Sequence, residues 1–328
     1  MTQAGSDISS RISGVSTQAV DYRSLFVRLQ AGHQLITANS RLSRVLEDQY
    51  NQWRIGQGDS QWSSPEIASW KLWLDRLWEN AALQGAAGTD RAVPGDRQLT
   101  SLWESTLKHE PLEHTLLRPE SLANQLRDTR KLIIDWRLDP NDPAWFGDGN
   151  ENHVAFRQWN RAFERRCEKG RWVPPEDRTA ILVKAVEETL PAVGQRIDLL
   201  GFDEYSPAQV SLLSALIQSG HDVCHLLIES RQSKAVLLKC RDSNEELQQA
   251  ARRVRYWFEN DPGSSIAIVV PDLQERRRAV ERQLEETLVP GGNPDSQQAK
   301  PWNISIGVPL IRLPMIETAF DLFKLLDS

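Results

Sequence analysis

The sequence has no phosphate loop of the form GxxxxGK[ST], no long apolar run, few cysteines and no excess of positive charge. Each shortage excludes something. A membrane-spanning helix needs about eighteen or more consecutive apolar residues, and no stretch supplies them. Cys167, Cys224 and Cys240 are far apart and form no CxxC pair. Neither a disulfide framework nor a zinc knuckle is therefore predicted, and the usage fits a reducing, cytoplasmic compartment. The first twenty residues are polar and lack the apolar stretch of a secretory signal. Lys and Arg number 39 against 45 Asp and Glu, a net charge of −6. Contact with nucleic acid would have to come from local patches, not from a uniformly basic surface.

What is present is an ordinary globular composition, 40% hydrophobic and 26% charged, over 328 residues. That length exceeds what one hydrophobic core usually serves, so two domains are expected. Residues 1–19, rich in Ser, Gln and Gly, are expected to be a disordered tail. A short helix over 22–30, a strand "HQLITA" and a helix beginning at Asn39 follow. Asn39 is a natural N-cap. Leu42, Val45, Leu46, Tyr50 and Trp53 recur at helical spacing behind it.

From about 60 to 190 the pattern is helical, with helices expected at 66–84, 98–108, 119–137, 151–168 and 176–190 between Gly- and Pro-marked loops. This stretch holds nine of the twelve tryptophans. A tryptophan row can stack bases. The same rings among Leu and Ile at helical spacing build a core, which burial tendencies favour. Alternating strands and helices then resume. "RIDLLGF", "DVCHLLI", "AVLLKC" and "SIAIVV" read as strands, separated by helices from Ser206, from Ser243 and over 273–288. That alternation implies a mainly parallel sheet with covered faces. The apolar ending "GVPLIRLPMIETAFDLFKLLDS" reads as a helix, and the chain is expected to be the front part of a longer protein.

A nucleotide motor needs glycines so that backbone N–H groups reach the phosphates, a lysine on the terminal phosphates, and a Ser or Thr on magnesium. The turn after "LITA", where Asn39, Ser40 and Arg41 stand, offers neither glycine nor lysine. Arg41 would meet an anion at the helix start or simply face solvent. Further along, "LLGFDEYSPAQ" delivers Asp203 and Glu204 at the end of an apolar strand, where a motor holds its magnesium carboxylate and water-activating acid, with Gln209 just beyond. An acidic pair there is equally an ordinary helix-start cluster favoured by the macrodipole.

These residues carry a resemblance. "LLGFDEYSPAQ" resembles a worn second motif of superfamily 1 helicases of the RecB/UvrD kind. "CRDSNEELQQAARRVRYWFENDPGSSIAIVV" is similar to the start of their second motor domain. "NISIGVPLIRLPMIETAFDLFKLL" resembles a stretch of the AddB/RexB proteins. "LITANSRLSRVLEDQY" and "SWKLWLDRLWE" resemble the proteobacterial group of these probable DNA repair proteins. The resemblance implies a helicase subunit with a degenerate motor, paired with an active helicase–nuclease subunit that processes double-strand DNA ends. Many such proteins carry an iron–sulfur-stabilised PD-(D/E)XK nuclease domain, which would lie beyond residue 328. In this chain Asp222 and Glu229 are followed by Arg231 where that nuclease has Lys, and "SGHDVCHL" stands where the helicases have GDxxQ.

Other constellations carry less. His109 and His114 flank a proline, and His221 and His225 share one strand face without a third ligand, so no metal is expected. Arg252, Arg253 and Arg255 form one basic cluster, Arg276, Arg277 and Arg278 another, and Arg161, Arg165 and Arg166 a third. Each is interleaved with acids, as a solvated helix face would be, or tracks a phosphate backbone. The expected fold is α/β: a degenerate RecA-like helicase core, a P-loop-NTPase-like three-layer fold. Its first domain spans 20–230 with a helical insertion at about 60–190, and an incomplete second RecA-like domain begins over 231–328. The expected function is a non-hydrolysing scaffold and DNA-binding segment without cofactor, nuclease or membrane contact. The alternatives are a weak ATPase using Asp203 and Glu204, and a protein-binding adaptor that does not touch DNA.

Overall fold

A computed structural model of the chain describes residues 12–109, 119–139, 151–188, 195–229, 235–289, 300–305, 307 and 313–326. It divides into two compact units, Met1–Arg231 and Gln232–Ser328.

The first unit is built on five parallel strands: β1 (Ser16–Val20), β2 (Gln34–Thr37), β3 (Ile67–Ser69), β4 (Arg196–Leu200) and β5 (Asp222–Ile228), in the order β1-β5-β4-β2-β3. Successive side chains of a strand point to opposite faces, and both faces here are covered. Leu35, Leu200, Cys224 and Leu226 pack with α1 (Tyr22–Gln30) and α2 (Ser40–Gly56), through Leu25, Phe26, Leu46 and Tyr50. Ile36, Ile197, Leu199 and Val223 point the other way, onto Trp73 and Trp78 of α3 (Trp70–Leu83), Leu182 of α7 (Arg178–Glu188) and Leu212 of α8 (Pro207–Gln218). The result is a three-layer α/β arrangement. Asp198 faces the α1 side, where Arg28 grips both of its carboxylate oxygens (2.8 and 2.6 Å) and His33 Nδ1 lies 2.9 Å away.

Two expectations change here. The disordered tail was expected through residue 19, but Ile12 is fully buried and Ser16–Val20 pairs with β5 over its whole length. Residues 1–11 lie outside the described residues. The 60–190 stretch is also not wholly separate, because β3 is a sheet edge and α3 and α7 cover the sheet. Only α4 (Asp96–His109), α5 (Pro119–Trp136) and α6 (Glu151–Gly170) share a core of their own. There Trp103 and Phe163 stack at 4.0 Å with ring planes 4° apart. Trp73, Trp78, Trp103 and Trp159 are all buried, so these rings fill cores. The helix expected over 176–190 is α7; its last two residues lie outside the described residues.

The second unit holds α9 (Ser243–Asn260), α10 (Leu273–Leu288) and α11 (Pro314–Leu326). Leu247, Ala251, Val280 and Leu284 form a small core, flanked by Val270 and Trp302. The strands expected at "AVLLKC" and "SIAIVV" do not form, and among the described residues this unit has no strand. A parallel strand exists only through its neighbours, and with none beside them among the described residues these apolar runs are irregular, leaving Leu237 97% and Val269 86% exposed.

Candidate functional site

In an open parallel sheet, ligands bind beyond the carboxyl ends of the strands, where the strand order reverses. Here β2 leads to β3 in one direction and β4 leads to β5 in the other, so the reversal lies between the adjacent strands β2 and β4. The turn bearing Asn39, Ser40 and Arg41 leaves β2. The turn bearing Asp203 and Glu204 leaves β4. The fold thus brings both sequence-predicted groups to one edge of the sheet, and all five side chains are exposed.

The crevice between them is closed from within. Asn39 caps its own helix, accepting from the Leu42 N–H at 3.0 Å, so its side chain takes an amide that an anion would use. Thr37 Oγ1 donates to the Asn39 carbonyl at 2.9 Å and lies 2.6 Å from Ser43 Oγ. The Ala38 N–H donates to the Leu200 carbonyl at 3.1 Å, tying the turn to β4. Gly201 leaves β4 at φ +80°, and a Cβ there would stand 2.6 Å from Leu42 Cδ2. Leu42 therefore sits on the backbone at the point of strand reversal. Gly201→Ala is expected to destabilise the first unit by roughly 1–3 kcal/mol, through the left-handed backbone and the clash together. Leu42→Ala in the same chain should return part of that loss. Urea midpoints check it, and a Gly201→Ala chain as stable as its parent would contradict the closed crevice.

The second turn is held by its flanks. Phe202 and Tyr205 are buried and stacked at 5.0 Å, and the Tyr205 hydroxyl lies 2.8 Å from Nδ1 of the fully buried His225. Burial pushes the Tyr205 phenol up and the His225 imidazole down, so both are neutral at physiological pH. Gln209 is committed to structure: its Oε1 accepts from the Ser206 N–H at 2.9 Å and closes a capping box with the Ser206 hydroxyl. Asp203 and Glu204 are thereby turned outward.

Glu204 borders a cleft of about 870 Å³ between the sheet edge and the helical layer. The N-terminal turns of α3, α4, α7 and α8 all reach this cleft, a setting that favours anions. Its charged lining answers them with protein carboxylates. Asp75, Asp96, Asp128, Asp135, Glu176 and Glu204 stand against Lys71, Arg127, Lys131 and Arg178. Arg178 pairs with Asp75 at 2.5 Å and Lys131 with Asp135 at 3.5 Å. Burial raises the Asp135 carboxyl, and Lys131 partly offsets the rise. A triphosphate entering here would meet a carboxylate majority. The sequence offered no sign of this cleft, because its walls come from segments far apart along the chain.

The arginines proposed for DNA contact divide into two sets. Arg255 pairs with Glu259 at 2.8 Å, Arg276 with Asp272 at 3.4 Å and Glu246 at 3.8 Å, and Arg277 with Glu281 at 3.1 Å. Arg252, Arg253 and Arg278 are exposed. Arg253 lies over two exposed rings of its own helix, 6.0 Å from the Tyr256 centroid and 5.3 Å from that of Trp257. The aromatic partners were not foreseen, although "RRVRYWF" places them within one helical turn. His109 Nδ1 lies 2.7 Å from the Ser105 carbonyl, His114 lies outside the described residues, and His221 precedes β5. Among the described residues no cluster of His, Cys, Asp and Glu is arranged to hold a metal, and no helix is long and apolar enough to cross a membrane. No family model and no curated protein matches the chain.

Proposed function

We propose that this chain is a non-hydrolysing, helicase-like segment of a DNA double-strand-break repair system, a scaffold that also holds DNA. The observation that supports it most is the closed point of strand reversal. A parallel sheet carries acids at the expected strand exit, yet Leu42 on Gly201 and the self-capped Asn39 leave no cradle opposite them. A degenerate RecA-like first domain accounts for that combination. The partner in this reading is an active helicase–nuclease subunit, as the AddB/RexB resemblance implies, and the setting is the cytoplasm. Phosphate release from ATP should stay at the blank level with or without DNA, and Asp203→Ala should leave it unchanged. Release that depends on magnesium and vanishes in Asp203→Ala would establish the ATPase alternative.

The DNA contact belongs to the outer face of α9, where Arg252 and Arg253 flank Tyr256 and Trp257. Arginine beside exposed rings suits unpaired bases, and each stacked base is worth about 1–3 kcal/mol. Trp257→Ala should weaken the binding of an oligo-deoxythymidine strand by that amount, read by fluorescence anisotropy at low salt. One observation favours the adaptor reading instead: the exposed apolar run Val236–Leu238 in the same unit. If neither single-stranded nor tailed duplex DNA binds at low salt, the adaptor reading takes over.

A further inference from the structure

We infer that His225 and Tyr205 form an acid-operated latch on the turn between β4 and α8. It is closed while the imidazole is neutral, and it opens when the ring takes a proton, freeing the turn that carries Asp203 and Glu204. The latch is independent of any DNA contact.

Four rings run in contact from α3 to β5. Trp70 meets Phe202 edge-on at 5.9 Å, Phe202 stacks on Tyr205 at 5.0 Å, and Tyr205 meets the His225 imidazole at 5.8 Å with the planes 82° apart. Residues 201–205 belong to no helix or strand, so side chains seat this turn. His225 stands in β5, between β1 and β4, and is fully buried. Its Nδ1 lies 2.8 Å from the Tyr205 hydroxyl, and its Nε2 is buried without a hydrogen-bond partner among the described residues.

A neutral imidazole fits in either tautomer, since the hydroxyl can donate to Nδ1 or accept from it. A charged one does not. Both nitrogens then carry protons, one finds an acceptor, and the charge lies buried without a counter-charge. β1 and α8, packed beside and over the ring, contain no charged residue. On β4, Arg196 is exposed and Asp198 lies on the α1 face, gripped by Arg28. On β5 itself Asp222 is exposed, and Cys224 points to the α1 face. Tyr205 faces the ring, and burial pushes its phenol up, so it stays neutral. Burial likewise holds the imidazole below its ordinary value. Closure is therefore complete above about pH 6.5 and weakens below it, by up to about tenfold per pH unit. β5 is laddered to a strand on each side, whereas the turn is not, so the turn yields first. Trp70 and Glu204 both line the cleft of about 870 Å³, so release of the turn changes that wall.

Amide exchange at Gln209 and Val210 reports the turn. Both N–H groups donate to Ser206, one to its hydroxyl at 3.3 Å and the other to its carbonyl at 2.9 Å. In the full chain their opening, corrected for the pH dependence of exchange itself, should rise up to about tenfold between about pH 6.5 and 5.5. Leu35, which donates to the Glu66 carbonyl within the sheet, should keep its protection. His225→Leu/Tyr205→Phe removes both polar partners together and should abolish the pH dependence. Carbon-13 shifts of the His225 ring in the parent should change in step with the exchange, a reading that holds even if the double variant does not fold. No rise in the parent, an equal rise at Leu35, or an equal rise in the double variant overturns the latch. So does a His225 ring that titrates while Gln209 and Val210 stay protected.

Discussion

Replacing Arg130 with Met is expected to destabilise the first unit by about 3–5 kcal/mol, the cost of leaving a buried carboxylate without its partner. Arg130 is 3% exposed and Glu176 6%. The guanidinium donates to Glu176 Oε1 at 2.5 Å and to Asp177 at 2.9 and 3.1 Å, joining α5 to the segment that leads into α7. Burial raises the Glu176 carboxyl, and Arg130 is the main influence opposing that rise. Without Arg130 the rise is larger. An acid whose pKa is higher in the folded chain than in the unfolded chain costs stability as pH climbs through that interval. The Arg130→Met penalty should therefore be greatest at neutral pH and shrink towards acid. Arg130→Met/Glu176→Gln should recover most of it, because an unpaired charge and not a lost contact dominates the cost. Urea denaturation followed by tryptophan fluorescence reads all three; equal midpoints for the single and double variants would contradict the explanation.

Trp103→Ala is expected to cost a similar amount, about 3–5 kcal/mol, by opening a cavity in the core shared by α4, α5 and α6. The ring is fully buried and stacked on Phe163. Trp103→Phe should cost clearly less than Trp103→Ala, since it keeps an aromatic face against Phe163 and leaves a smaller cavity. It also removes an indole N–H that is buried without a hydrogen-bond partner among the described residues. Thiol labelling gives an independent readout. Burial pushes the Cys167 thiol up to about 12, so it should react only when this core opens. Labelling of Cys167 in Trp103→Ala, and its protection in Trp103→Phe, would place the damage where the stacking is lost.

The helices between 60 and 190 were readable because each turns one apolar stripe inward, a periodicity that survives without knowledge of its partner. Asn39 as a helix cap was readable for the same reason: capping is local. The misses are all non-local. β1 is an edge strand whose first four residues are exposed, so its sequence carries no apolar alternation to detect. β3 is three residues long and was absorbed into the helix after it. "AVLLKC" and "SIAIVV" carried a strong strand pattern and formed no strand, because pattern cannot supply a neighbour. At the candidate site, the acidic pair at the strand exit and the missing glycine and lysine could be read from the chain, whereas the outward turn of the acids could not. That Leu42 fills the space over Gly201 could not, since 159 residues separate the two in the numbering. The Arg130–Glu176 pair, 46 residues apart, was hidden in the same way.

Titration of the full chain with a non-hydrolysable ATP analogue and magnesium, followed by calorimetry, tests the closed crevice most directly. The expected result is no heat beyond dilution, both in the parent and in Leu42→Ala, where the crevice is opened but neither glycine nor lysine is restored. Saturable, magnesium-dependent binding in the parent, abolished by Asp203→Ala, would contradict it.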